Sequence, residues 1–260
     1  MSETTLPGGR TTGAVLVDGI VHKPAAPSTP TVHALLRHLE AAGFDAAPRA
    51  LGFDDQGREM LTYLPGETIG GRDPAPGWAS ADSMLAQVGQ WLRRLHDLTA
   101  DFTPPADQRW FIGGTMGPGL IVGHQDAAPY NAVVDAGRLV GFCDWDIAGP
   151  SSRDWDLAFS ALSWVPLAGT PSSGDDRRER SRRLHLFLDA YGYDGDRRAF
   201  GAVVPQRARR QAEVIRSMAG AGDPASIALL PIAELLEQSA ISVQSLPGTF
   251  WNAVPHDADE

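Results

Sequence analysis

The chain is poor in cysteine, in cationic charge and in long apolar runs. Cys143 is its one cysteine among 260 residues. No intramolecular disulfide can form, which excludes a disulfide-stapled secreted domain and suits a reducing compartment. Cys143 stands in an apolar run beside Asp144 with no sign of thiolate activation, so it reads as a buried structural thiol and not as a nucleophile. No apolar stretch reaches the ~20 residues that a membrane-spanning helix needs. The opening MSETTLPGGR has no apolar core of a secretory signal. The expectation is a cytoplasmic protein without a membrane partner. Lys and Arg total 22 against 32 Asp and Glu, a net charge of −10. That balance excludes nucleic acid as the main partner, because phosphates need clustered Lys and Arg. It would suit a cationic small molecule, although acidity of this size is ordinary in soluble proteins.

Apolar residues make up 43% of the chain, enough at this length for a sizeable core. The length fits one large domain or two small ones. A glycine-rich segment, GGRTTG, comes before a hairpin predicted over 14–17 and 20–23, with Asp18-Gly19 as its turn. Thr29-Pro30 reads as an N-cap followed by proline in the first turn, and Val32, Leu35, Leu36 and Leu39 share one helix face. Further strands are predicted over 49–53 and 59–64, and LPGE at 64–67 reads as a connector. The rest of the chain is mostly helical. The pattern predicts an amphipathic helix over 83–100, a hairpin over 132–143 as the only sheet, and helices near 154–165, 178–191, 196–219 and 225–244. Pro205 and Pro231 are expected to break or kink two of these. GTPSSGDD at 169–176 reads as an exposed loop, RRERSRR at 177–183 as a solvated helix face, and DADE at 257–260 as an acidic tail. The fold expected is α+β and two-lobed. A small β-rich lobe covers residues 1–65 and a larger, mostly helical lobe covers 66–260, with a cleft between them for a ligand.

The chemistry concentrates in VGHQDAAPYNAVVDAGRLVGFCDWD, residues 122–146. His124, Asp126 and Asn131 give H-x-D-x-x-x-x-N, and Asp144 follows thirteen residues after Asn131. Carboxylates at strand ends are costly unless paired, solvated or bound to a cation. The intervening hairpin can return the chain, bringing Asn131 and Asp144 to one end. An amide oxygen and a carboxylate are hard ligands suited to Mg²⁺, which completes its shell with water and phosphate oxygens. Asp126 could then accept the proton of an incoming hydroxyl. Base Asp, metal-binding Asn and metal-binding Asp are the parts of a kinase. Each residue alone is a weak signal; the ordered set is a strong one.

HQDAAPYN (124–131), DWD (144–146), AGP (148–150) and WDLA (155–158) resemble the motifs of the aminoglycoside/choline phosphotransferase family, which shares the protein-kinase-like fold. The resemblance implies Asp126 as catalytic base and Asn131 and Asp144 as holders of Mg²⁺. It implies ATP, or GTP, as the phosphoryl donor and a small-molecule hydroxyl as acceptor, an aminoglycoside or related antibiotic among the candidates. Lys23 matches the lysine that reaches the phosphates, Gly8 and Gly9 the loop that covers them, and Thr62, Tyr63 and Leu64 the hinge strand that meets the base. Taken alone, a glycine-rich loop more often serves a turn, and a strand-end lysine is more often exposed. DWD in place of Asp-Phe-Gly, with no Ala-Pro-Glu segment after it, favours a small-molecule kinase over a protein kinase.

Three further residues are read as substrate contacts or structural groups. His124 reads mainly as a brace for its loop. Asp146 reads equally as a contact at the mouth of the site or as surface. Asp156 reads as a hydrogen-bond partner of the catalytic loop or as a helix cap. One departure stands out. Kinases pair the strand lysine with a Glu on the following helix, and Val32, His33 and Ala34 occupy that place here. Glu40 is the only acid on the helix, so the acidic partner of Lys23 is left open between Glu40 and the group formed by the phosphates with Asp144. That departure motivates the rival expectation of a catalytically silent nucleotide-binding module.

Overall fold

A computed structural model describes residues 3–6, 13–70, 75–165, 167 and 174–252. The N-terminal part is a five-stranded antiparallel sheet of β1 (Thr4–Thr5), β2 (Val15–Val17), β3 (Ile20–Lys23), β4 (Ala50–Phe53) and β5 (Glu59–Thr62), in the order β1-β2-β3-β5-β4. Asp18 and Gly19, both at positive φ, close the β2–β3 hairpin, the geometry that an Asp-Gly turn adopts. β3 and β5 pair with Ile20 opposite Thr62 and Lys23 opposite Glu59. Helix α1 (Thr29–Ala41) buries Val32, Leu35, Leu36 and Leu39, the face that the spacing predicts. Its N-cap is Ser28 and makes no side-chain cap bond. Thr29 differs from expectation because its Oγ1 faces backwards and accepts the Ala26 N–H at 2.9 Å.

The second part is built on α2 (Asp82–Thr99), whose Leu85, Val88, Leu92 and Leu95 are fully buried. Two small sheets follow, where the pattern predicts one. β7 (Ala132–Asp135) and β8 (Arg138–Phe142) form the expected hairpin, while β6 (Ile121–Gly123) pairs with β9 (Gly149–Ser151). The second sheet escapes a reading by period because its strands are three residues long and read IVG and GPS. Helices α3 (Arg153–Trp164), α4 (Gly174–Tyr191), α5 (Arg197–Gly220), α6 (Pro224–Ala228) and α7 (Leu230–Gln244) complete the fold. α4 begins inside the stretch expected to be a loop. α5 runs unbroken through Pro205, where the carbonyl left without a donor belongs to Gly201, four residues back. Pro231 sits in the first turn of α7 and separates it from α6. Arg183 is not on a solvated face. It is 8% exposed and donates to Ser80 O at 2.8 Å, Asp82 Oδ1 at 2.6 Å and Trp164 O at 3.2 Å, tying α4 to the start of α2. The tail at 257–260 lies outside the described residues. Among the described residues no helix is long and apolar enough to cross a membrane.

The two parts meet at the β7–β8 hairpin. Glu67, in the connector, exchanges both backbone hydrogen bonds with Val134, at 2.8 and 2.9 Å. Gly66 precedes it at φ +151°, where a β-carbon would stand 2.7 Å from Val134 O. On the other strand, Gly141 lies against the backbone of Ala46, whose carbonyl also accepts the Trp91 indole N–H at 2.9 Å. A β-carbon on Gly141 would overlap that carbonyl. Gly141→Ala is therefore expected to destabilise the protein by about 1–3 kcal/mol, the usual cost of overpacking. Thermal denaturation of the variant checks this, and an unchanged midpoint would show that the close approach gives way freely.

Candidate active site

The hairpin does what its length demands. Ala132 pairs with Phe142, and Cys143 N donates to Asn131 O at 3.0 Å, so Asn131 and Asp144 leave the same end. Asn131 commits its amide nitrogen twice, to Asp126 O at 3.0 Å and to Asp126 Oδ2 at 2.9 Å. Its Oδ1 is thereby turned away from Asp126. Asp144 has φ +60°, an uncommon conformation for a residue with a side chain. Trp145 is buried and donates its indole N–H to Phe142 O at 2.9 Å, which holds the DWD turn against the hairpin.

Asp126 is partly buried on the loop before Asn131. Burial pushes its carboxyl up to about 7 and the charge of Asp144 adds to this, against the hydrogen bonds from Tyr130 and Asn131 and the Arg207 charge. The Tyr130 hydroxyl donates to Asp126 Oδ1 at 2.5 Å. The His124 ring is buried and has both nitrogens engaged, Nε2 with Cys143 O at 3.0 Å and Nδ1 with Asp126 N at 3.3 Å. Burial pulls its pKa down to about 4, which fits a neutral ring packed 4.7 Å from Trp145. Asp156 lies below the loop, 1% exposed. It accepts from His96 Nε2 at 2.9 Å, Gln125 N at 2.6 Å and His124 N at 3.3 Å. Burial acts to raise its pKa, and the hydrogen bond and charge of His96, with the further contacts, outweigh this and hold it below its ordinary value.

Lys23 reaches this group from β3. It is 7% exposed, hydrogen-bonded to Asp146, 3.4 Å from Glu59 Oε1 and 3.9 Å from Asp144 Oδ1. Burial works against the ammonium, but the three carboxylates prevail and raise its pKa well above the ordinary lysine value. Lys23 is also the only lysine in the chain; the other 21 of the 22 basic residues are arginine. Thr62 ends β5 and Tyr63 and Leu64 follow; the N–H groups of Thr62 and Tyr63 donate to Arg49 O at 3.0 Å and Gly19 O at 3.3 Å. Gly8 and Gly9 lie outside the described residues. Glu40 stands apart from Lys23, exposed and 3.3 Å from Arg49.

Three residues escaped the reading of the sequence. Glu59 is the register partner of Lys23. His33, 1% exposed, contacts Glu59 Oε2 through Nε2 at 3.0 Å. Arg207 on α5 is 1% exposed beneath the loop that carries Asp126. It donates to Gln125 O at 2.9 Å and lies 4.7 Å above the Phe159 ring, and burial pulls its pKa down to about 10. The lysine count could have singled out Lys23. Nothing local distinguishes Arg207 among the arginines of α5. Cys143 is partly buried, its thiol pushed up to about 12 chiefly by burial, with the Asp144 charge adding.

Comparisons with known proteins give the family and the fold. The model of the phosphotransferase enzyme family matches residues 12–112, which include Lys23 and β5 and stop short of Asp126. The trifolitoxin immunity protein of Rhizobium leguminosarum bv. trifolii is 38% identical over 204 residues, covering 73% of this chain and 74% of that protein. Among solved structures, an amicoumacin kinase in complex with AMP-PNP and Ca²⁺ superposes with a TM-score of 0.65 at 11% identity, covering 95% of this chain and 91% of that one. A choline/ethanolamine kinase family protein from Mesorhizobium loti gives 0.58 at 14% identity, with 94% and 92% covered. At such identities the structures speak for the fold, and that fold is kinase-like.

The Asp156 network carries a prediction about acid. A carboxyl held below its unfolded pKa stabilises the fold fully above the unfolded value, about 4, and loses that contribution as pH falls through the folded value. Asp156→Asn is expected to cost about 1.5–3 kcal/mol at neutral pH, the worth of hydrogen bonds to a charged group. It should also flatten the loss of stability below about pH 4. Urea unfolding of both proteins from pH 7 to pH 3 measures this; parallel curves would remove Asp156 from the acid response.

Proposed function

Because this chain belongs to the phosphotransferase enzyme family, we propose that it is an ATP- or GTP-dependent, Mg²⁺-requiring O-phosphotransferase whose acceptor is a hydroxyl of a small molecule. The observation that carries the reading is the convergence of Asp126, Asn131 and Asp144 at one end of a hairpin, faced by the buried Lys23 from the sheet. Residues 1–65 would be the nucleotide-binding lobe and residues 66–260 the catalytic and acceptor-binding lobe. Gly8 and Gly9 belong to the loop proposed to cover the phosphates. Leu64 would present its N–H to the base, since those of Thr62 and Tyr63 are spent within the sheet.

The donor set fits a hard cation that keeps waters and shares phosphate oxygens. Asn131 offers an oxygen because both its N–H groups serve Asp126, and Asp144 offers a carboxylate. When bound, Mg²⁺ would neutralise charge on the transferring phosphoryl group. The residues of the chain do the rest. Lys23 exchanges Asp146 for the nucleotide's phosphates. Asp126, oriented by Asn131, receives the acceptor hydroxyl in the place where the Tyr130 hydroxyl now donates, aligns it and takes its proton. His124, Asp156 and Arg207 hold the loop that carries Asp126. Most of the rate comes from positioning and electrostatics.

The relative's name, an immunity protein for trifolitoxin, points the acceptor search toward toxins and antibiotics that phosphorylation would inactivate. Cytoplasmic activity would suit that role.

Turnover of ATP and GTP with Mg²⁺ across a panel of aminoglycosides and other hydroxyl-bearing antibiotics tests the reading. Acceptor-dependent turnover is expected, falling about 10²–10⁴-fold in Asp126→Ala with Mg·ATP affinity kept. Nucleotide binding in the absence of transfer to any acceptor would turn the reading toward a silent module. The single lysine allows a second check. An acyl phosphate of ATP places its acyl carbon where a phosphate-gripping amine attacks, releasing ATP. Peptide mass spectrometry is expected to find the acyl group on Lys23, with protection by excess Mg·ATP. Acylation confined to the N-terminal amine would sink the assignment of Lys23.

A further inference from the structure

The helix after the lysine strand offers no acid to Lys23, yet the lysine is not short of one. Lys23 and Glu59 are direct partners across β3 and β5, so their side chains share one face of the sheet. Glu59 is 3% exposed and its two oxygens are divided, Oε1 at 3.4 Å from Lys23 Nζ and Oε2 at 3.0 Å from His33 Nε2. His33 stands on α1 in the region where the resembling family often carries its acid. We infer that Glu59, carried on the sheet and not on the helix, is the acid that positions Lys23 on the nucleotide's phosphates, with His33 tying that acid to α1. This rests on the nucleotide-site reading above.

The three carboxylates around Lys23 differ in what they can do. Asp146 and Asp144 come from the far side of the cleft, with side chains 26% and 19% exposed. Asp146 can turn away when a phosphate arrives, and Asp144 is the proposed ligand of the cation. Glu59 is enclosed and held at its other oxygen, so it stays on Lys23 through that exchange. A further consequence concerns control. In protein kinases the lysine's acid lies on a mobile helix, and moving the helix breaks the pair. Here the pair is set by strand register, so a shift of α1 would cost the His33 contact and leave Lys23 aligned.

Glu59 is therefore a positioning residue, and its loss should fall on the nucleotide alone. Glu59→Gln is expected to weaken Mg·ATP binding and to lower kcat/KM for ATP about 10- to 100-fold, the range for losing a charged hydrogen-bond partner. KM for the acceptor should stay within about twofold, since the acceptor meets Asp126. Glu59→Asp should recover part of the loss, and Glu40→Gln should match the wild type. Calorimetric titration with Mg·ATP and thermal melting accompany the kinetics. Glu59→Gln with wild-type nucleotide parameters would overturn the inference, as would the loss appearing in Glu40→Gln. A fall in melting temperature with both Michaelis constants moved together would assign Glu59 to the fold instead. Absence of both Mg·ATP and Mg·GTP binding in the wild type would overturn the nucleotide site and this inference together, whereas intact wild-type nucleotide binding with an unaffected Glu59→Gln overturns this inference alone.

Discussion

A single buried ammonium among three carboxylates organises this molecule. Lys23 is nearly out of solvent, and a lone cation there would be costly. Glu59 supports it from within its own sheet, and Asp144 and Asp146 support it from the turn that follows the β7–β8 hairpin. The ion group thus joins the sheet to the residues after the hairpin, and the Glu67–Val134 backbone pair joins the connector to the hairpin itself. Among the described residues, this one ammonium is shared by three carboxylates. On the proposed reading, Lys23 would trade a carboxylate for a nucleotide phosphate, and the exposure of Asp146 and the enclosure of Glu59 would make that trade one-sided.

The placement of these groups follows from backbone requirements more than from the side chains themselves. A hairpin that starts after Asn131 and ends before Cys143 brings residues thirteen apart in sequence to one point. The hairpin is held from both sides by close backbone approaches, at Gly66 and at Gly141, where a β-carbon would collide. Neither glycine is one of the candidate site residues, yet their close approaches hold the N-terminal part against the hairpin that carries Asn131 and Asp144.

Much of this was legible in sequence, and for physical reasons. Asp18-Gly19 requires positive φ and marks a turn; Val32, Leu35, Leu36 and Leu39 can share a face only on a helix; H-x-D-x-x-x-x-N with a later Asp needs a returning strand pair. The family inferred from those motifs is the one to which the chain belongs. What escaped was tertiary. The β6–β9 pair joins residues about thirty positions apart through strands too short to show a period. Pro205 does not break α5; local propensity does not see the buried packing around residue 205. RRERSRR looked uniformly solvated because charge in sequence does not show that Arg183 finds Asp82 and two carbonyls across an interface. Glu59 went unnoticed because the expected partner of Lys23 was sought along the helix, while the actual neighbour is defined by strand register.

The loop that carries Asp126 holds a strained backbone position between two buried charges. Gln125, directly before Asp126, has φ +62°, and such a conformation costs on the order of 1–3 kcal/mol for a residue with a side chain. Both of its backbone groups are captured by buried charge. Its N–H donates to Asp156, and its carbonyl accepts from Arg207. Hydrogen bonds to charged groups contribute about 1.5–3 kcal/mol each, so the two together exceed the strain. The charged partners are in turn fixed by His96 beneath Asp156 and by the Phe159 ring against Arg207. A relaxed backbone at residue 125 would aim Asp126 elsewhere. The buried charges of this lobe thus serve the direction in which Asp126 points, and through Asn131 the direction in which the amide oxygen points as well.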